Sequence, residues 1–173
     1  MDDIGHAETI IRVLVAVLAG ACLGWERESA HKPAGLRTHI LVTLGAAATV
    51  LAALKLHHEL VVAGDPGGSD LMKAIAGIVG GVGFLGAGSI IRDNTGVRGL
   101  TTAATIWLAA AIGVACGLGY YLLAAACVIT ALTTLVLLGL FEQHVLGTFG
   151  VRADSADDET ASNPKKPPFD SSP

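Results

Sequence analysis

The sequence predicts an all-α fold, an integral membrane bundle of five transmembrane helices with a disordered C-terminal tail, and three observations lead to that class. Hydrophobic residues make up 52% of the 173-residue chain and charged residues 15%, and the mean hydropathy is +0.62. The apolar residues are gathered into runs approaching the roughly 20 residues that cross a bilayer core of about 30 Å. Within those runs apolar and polar residues do not alternate, as the strands of a membrane barrel would over about ten positions.

The first helix is expected over residues 10–25, with Arg12 near its start, where the long side chain can snorkel to the surface. The second falls on residues 38–56, the third on 74–91, the fourth on 100–118 and the fifth on 120–141. CGLGYY separates the last two, so the chain must reverse tightly there, as Gly117 and Gly119 permit. The opening MDDIGHAE is acidic where a cleaved signal peptide needs positive charge, so the first run reads as a retained helix. Residues 1–149 thus form the membrane domain. Residues 150–173 are polar, acidic and proline-rich, a composition too poor in apolar side chains to fold, and are expected to be a disordered tail.

Lysine and arginine in the short loops set the orientation. Arg27, Lys32 and Arg37 follow the first helix, and Arg92 and Arg98 follow the third. After the second, Lys55 and Lys73 are balanced by Glu59, Asp65 and Asp70. Five spans with the N-terminus outside put both arginine-bearing loops and the C-terminus in the cytoplasm. The formal net charge of -4 comes partly from the acidic tail and N-terminus and suggests no nucleic-acid partner. Cys22, Cys116 and Cys127 lie in or beside apolar segments without metal-ligand spacing, which suits packing.

The third helix is unusual for its glycines: Gly77, Gly80, Gly81, Gly83, Gly86 and Gly88. Membrane helices associate by close contact, and small residues let backbones approach. Gly77 and Gly81 form a GxxxG pair, and Gly80, Gly83 and Ala87 offer a second smooth stripe. A helix smooth on two sides is expected at the centre of the bundle, with a substrate path through a broken helix as the alternative. Gly20 and Gly24 make another GxxxG pair on the first helix, and Ala46, Ala47, Ala48, Ala52 and Ala53 supply small residues on the second, so partner surfaces for a tight bundle or a homodimer are available.

At the expected cytoplasmic end the ionisable groups concentrate: Glu26, Arg27 and Glu28, then Lys32, Arg37 and His39, then Arg92, Asp93 and Arg98. They are expected to meet in one layer, acids against bases, either anchored on headgroups or presented to a partner. Thr101 and Thr102 stand where a hydroxyl can cap the fourth helix. Deep in the spans no charged side chain stands where ion or proton pathways usually keep one, which disfavours a coupled pump. Walker and HExxH motifs are missing, so no enzyme and no cofactor is expected. The adjacent His57 and His58 of LHHEL have no defined ligand geometry, and no metal site is expected there.

ERESAHKPAGLRTHILVTLGAA, GFLGAGSIIRDNTGVRGLTTAATIW and IGVACGLGYY together resemble the membrane domain of the MgtC/SapB family, over residues 14–140. The resemblance implies a five-helix protein of the bacterial inner membrane, associated with adaptation to low magnesium and, in some pathogens, survival inside macrophages. It also implies regulation of membrane-protein partners, ATP synthase or a transporter, rather than transport, and marks Glu26, Arg27, Arg37, Thr38, Arg92, Arg98, Gly99, Thr101 and Thr102 as positions to test. Two departures stand out. Full-length members carry an ACT-like regulatory domain where this chain has a short tail, and the family's namesake carries asparagine at the position of Thr101 where shorter relatives resemble the GLTTAA form, so the chain is similar to the short SapB-like members. Two readings follow: a non-enzymatic regulator working through its charged layer, or a small oligomeric transporter or channel for magnesium or another ion.

Overall fold

The computed structural model describes residues 4–64, 71–94 and 96–148. The expected tail, 150–173, and Asp65 and Asp70 fall outside them. Five helices are long and apolar enough to cross a membrane: α1 His6–Ser29, α2 Leu36–Val62, α3 Leu71–Gly88, α4 Leu100–Leu118 and α5 Tyr121–Thr148. Between α3 and α4 lies a two-stranded antiparallel hairpin, β1 Ile91–Asp93 and β2 Gly96–Arg98. Several helices run past their apolar stretches. α1 has 24 residues, or about 36 Å at 1.5 Å per residue, because polar groups such as Glu8 and Glu26 continue the helix into the interface.

The chain divides into two compact units, residues 1–133 and 134–173. In the first, α1 packs on α2 and α4, α2 packs on α4, and α3 rests against α4 and α2. The core is small-sided: Ala16, Leu23, Ala47, Ala109, Ile112 and Cys116 are buried, joined by Ala124 and Ala131 of α5. Large apolar side chains point outward instead, among them Leu14, Leu18, Leu41, Phe84 and Leu122. Such a surface suits lipid, where apolar exposure costs nothing and every backbone group must be satisfied within its own helix. Of the second unit, the described part is the end of α5.

Glycine places the helices, through the Gly20/Gly24 pair expected on α1 and a second pair on α4, and not through the glycines of α3. A β-carbon on Gly20 would lie 2.8 Å from the His39 carbonyl oxygen and 2.9 Å from the Ile40 α-carbon, and one on Gly24 2.6 Å from the Leu36 α-carbon. Across α2, Gly113 faces Thr43 and Ala46, and Gly117 faces Ala47 and Val50. Two GxxxG pairs, Gly20/Gly24 on α1 and Gly113/Gly117 on α4, therefore clasp α2 from two sides, which only small residues permit. Gly117, read as part of the turn, is a packing residue.

α3 does not occupy the centre. Only 6% of its membrane window is buried, against 56% for α4, which holds the central place. Of its glycines, only Gly86 would bring an added β-carbon within 4 Å of another helix among the described residues, 3.5 Å from the Ala103 carbonyl oxygen; Gly77, Gly80, Gly81, Gly83 and Gly88 have no neighbour within 4 Å of an added β-carbon. Smoothness made α3 eligible for the interior, but α4 is equally lean (LAAAIGVACG) and also presents the Gly113/Gly117 pair to α2.

The α4–α5 reversal is a Schellman turn. Gly119 takes φ +79°, its N–H donates to the Cys116 carbonyl at 3.0 Å, and the Tyr120 N–H donates to the Ala115 carbonyl at 2.8 Å. Another carbonyl of that last turn, Gly117, accepts from Arg12 Nη1 at 2.8 Å. Arg12 does not simply snorkel to water: it closes the C-terminus of α4, where its charge opposes the negative end of the helix dipole. Glu8 holds it through Nε at 2.8 Å, and Tyr121 Oη donates to the same carboxylate oxygen at 2.9 Å.

Candidate functional site

Gly20 meets His39 and Gly24 meets Leu36, so α1 is antiparallel to α2; Gly113 meets Thr43 and Gly117 meets Ala47, so α4 is parallel to it. The end of α1, the starts of α2 and α4, and the hairpin before α4 consequently share one end of the first unit. Every residue marked from sequence except the helix-packing glycines lies at that end.

Glu26 and Arg27 are paired directly. Arg27 Nε donates to Glu26 Oε2 at 2.6 Å and Nη2 to Oε1 at 2.9 Å, a two-point bond of the kind a guanidinium fork makes with a carboxylate. Successive helical residues normally diverge, so both side chains fold back toward one another. Arg27 is only 4% exposed, which makes the pair a structural unit and not a surface ornament. Glu28 acts elsewhere. Its Oε2 accepts from the Leu36 N–H at 2.7 Å, satisfying a free donor at the start of α2, where Gly35 offers no side chain to do so. Glu28→Ala is expected to cost about 1 kcal/mol of stability, the usual value of a lost N-terminal cap, seen as a lower unfolding midpoint in detergent.

One turn into α2, His39 is completely buried. Its Nδ1 lies 2.9 Å from the Gly35 carbonyl oxygen, and its Nε2 has no hydrogen-bond partner among the described residues. Arg27 and Glu26 are within electrostatic reach of the ring. Thr43, a turn further on, is also buried and returns its hydroxyl to the His39 and Ile40 carbonyls, each at 3.0 Å. Arg37 is exposed and Thr38 half-buried.

The loop expected after α3 is a hairpin. α3 stops at Gly88, three residues before its expected end, and Ser89 turns its hydroxyl onto the Gly86 carbonyl at 2.7 Å. Arg92 pairs with Val97, and Ile91 with Arg98. Cross-strand partners share a face and successive residues alternate, so Arg92 and Arg98 lie on opposite faces and do not stack in one layer. Asp93 Oδ1 accepts from the Gly96 N–H at 3.0 Å and Gly96 adopts φ +149°, the asparagine- and glycine-rich turn that DNTG encodes. Both strands are exposed throughout.

Gly99 joins the hairpin to α4 with φ +86°, and a β-carbon there would run into the Ser89 carbonyl. It is the N-cap of α4, and no side chain caps that helix among the described residues, so neither Thr101 nor Thr102 does the capping expected of it. Thr101 is exposed, whereas Thr102 is buried, with its carbonyl accepting from the Thr105 hydroxyl at 2.9 Å.

A multi-pass membrane protein with one charged, hairpin-bearing end is the class defined by these features. The chain belongs to the MgtC family, whose sequence pattern matches residues 13–144. It is 44% identical over 136 residues to "Protein MgtC" of Salmonella typhimurium (strain LT2), covering 79% of this chain and 54% of the relative. It is 42% identical over 137 residues to "Putative magnesium transporter YhiD" of Escherichia coli (strain K12), covering 79% of this chain and 62% of the relative. A "Protein MgtC" of Brucella abortus (strain 2308) is 45% identical over 113 residues, 65% of this chain and 44% of the relative. The chain thus spans about half the length of the relatives it matches. No solved structure matches it.

Proposed function

We propose that the chain is a non-enzymatic regulatory protein of magnesium homeostasis, used in adaptation to low magnesium, and that it acts from the bacterial inner membrane through membrane-protein partners such as ATP synthase or a transporter. Its N-terminus lies outside and its C-terminus in the cytoplasm, as the arginine-bearing loops indicate. The observation that carries this reading is the hairpin. It projects Arg92 and Val97 on one face and Ile91 and Arg98 on the other, all exposed, a mixed charged and aliphatic surface suited to a protein partner. The names borne by the relatives point to magnesium, and the charge-free mid-spans favour regulation over pumping.

The second reading, an oligomeric transporter, draws on the open glycine face of α3. Packing of that face against a second copy is a proposal common to both. A deletion strain under magnesium limitation separates them. Wild type is expected to restore growth and cellular magnesium and ATP, while Arg92→Ala at equal abundance leaves most of the defect without altering ion flux. A change of flux in Gly83→Leu with the fold intact would instead favour a pore.

A further inference from the structure

We infer that His39 is a proton-binding site that couples acidification to opening of the α1–α2 junction. The inference goes beyond the magnesium reading and stands without it. The Gly35 carbonyl can only accept, so the proton of the neutral ring sits on Nδ1 and donates to it at 2.9 Å. Nε2 is therefore a bare lone pair, in a side chain with no solvent exposure and with no partner among the described residues. A buried acceptor without a donor is uncommon and costly, and imidazole is the side chain that takes up a proton in the physiological range.

The surroundings decide what that proton does. α1 faces the ring with Arg27 and Glu26, and these two are already joined by two hydrogen bonds. Glu28 is tied to the Leu36 N–H. α4 carries no ionisable side chain between Leu100 and Ala115, only buried Thr102 and Thr105, and α3 carries none after Lys73. On its own element, Arg37 is exposed. A proton on Nε2 therefore creates a second buried cation beside Arg27, with Glu26 the one carboxylate in reach among the described residues, and already occupied. The relief available is separation of α1 from α2 where Gly20 and Gly24 clasp it, admitting water to the ring. Opening takes up one proton, so it grows as pH falls, by up to about tenfold per pH unit.

The test uses the full chain in lipid nanodiscs. Hydrogen exchange is followed over residues 20–27 and 36–43 from about pH 7.5 to about pH 5.5, the range in which imidazole titrates, after correction for intrinsic exchange. Wild type and His31→Asn, which alters an exposed loop imidazole, are expected to show the rise, and His39→Asn a flat profile. Histidine-selective 15N NMR on the unmutated protein keeps the inference falsifiable if that variant fails to fold. It should show an Nδ1–H tautomer at high pH converting to imidazolium in the same window. Persistence of that tautomer to the acid end of the range would overturn the inference, as would an exchange profile unchanged by pH in wild type.

Discussion

Gly113→Leu is expected to destroy the bundle, whereas Gly83→Leu leaves its fold intact. An added β-carbon at Gly113 lies 2.8 Å from the Ala46 β-carbon and 2.9 Å from the Thr43 α-carbon, and meets the Thr43 carbonyl. Overpacking usually costs about 1–3 kcal/mol when side chains can shift aside. Here the obstacle is the backbone of α2, which is itself held from the other side by Gly20 and Gly24. The loss should reach about 3 kcal/mol or more, a large part of the roughly 5–15 kcal/mol that holds a typical domain. In membranes it would appear as protein that extracts in aggregated form, and as a collapsed unfolding midpoint where any folded material is recovered.

Gly83 is the control, since nothing lies within 4 Å of its added β-carbon. Gly83→Ala should even favour the helix slightly, by up to about 1 kcal/mol, because glycine is the weaker helix former. A folded, monodisperse Gly83→Leu beside an aggregated Gly113→Leu would establish which glycines hold the chain together. Equal damage from both would mean that α3 is packed as tightly as α4, through contacts outside this chain.

How much of this was legible beforehand differs from element to element. Five spans follow from the apolar runs, because bilayer thickness sets their length whatever they pack against. The position of α3 was not legible. Glycine content measures how closely a helix can approach a neighbour, not whether a neighbour is there, and Gly113 and Gly117 in IGVACG carried the same signal more quietly. The hairpin was hidden because each strand has three residues, too few for alternation to show, although DNTG is an ordinary turn signal. His39 stood out as one of several polar residues near a helix start. Its burial depends on Gly20 and Gly24 drawing α1 against it, a long-range fact that no local pattern encodes. Arg12 is similar: its partner carbonyl lies 105 positions away at Gly117.

Arg27→Met should be the most damaging change at the charged end. The guanidinium is almost fully enclosed, at 4% exposure, and it satisfies both oxygens of Glu26, whose side chain is itself only 17% exposed. Removing one member of a buried pair strands the other charge, at a cost of about 3–5 kcal/mol. The lower end of that range applies because Glu26 keeps some access to water. Arg27→Lys should recover only part of the loss, since an ammonium is a point charge and cannot span both oxygens as the fork does. The decisive variant is the double change Glu26→Gln with Arg27→Met, which leaves no unpaired charge. It should be more stable than Arg27→Met alone, with a coupling of about 0.5–3 kcal/mol in the double-mutant cycle, measured by unfolding of the purified protein in detergent. If the two changes simply add, the close contacts between Arg27 and Glu26 carry no net stability. Burial of Arg27 would then reflect packing of its aliphatic stem against the bundle, and the pair would owe its position to the Gly20 and Gly24 clasp alone.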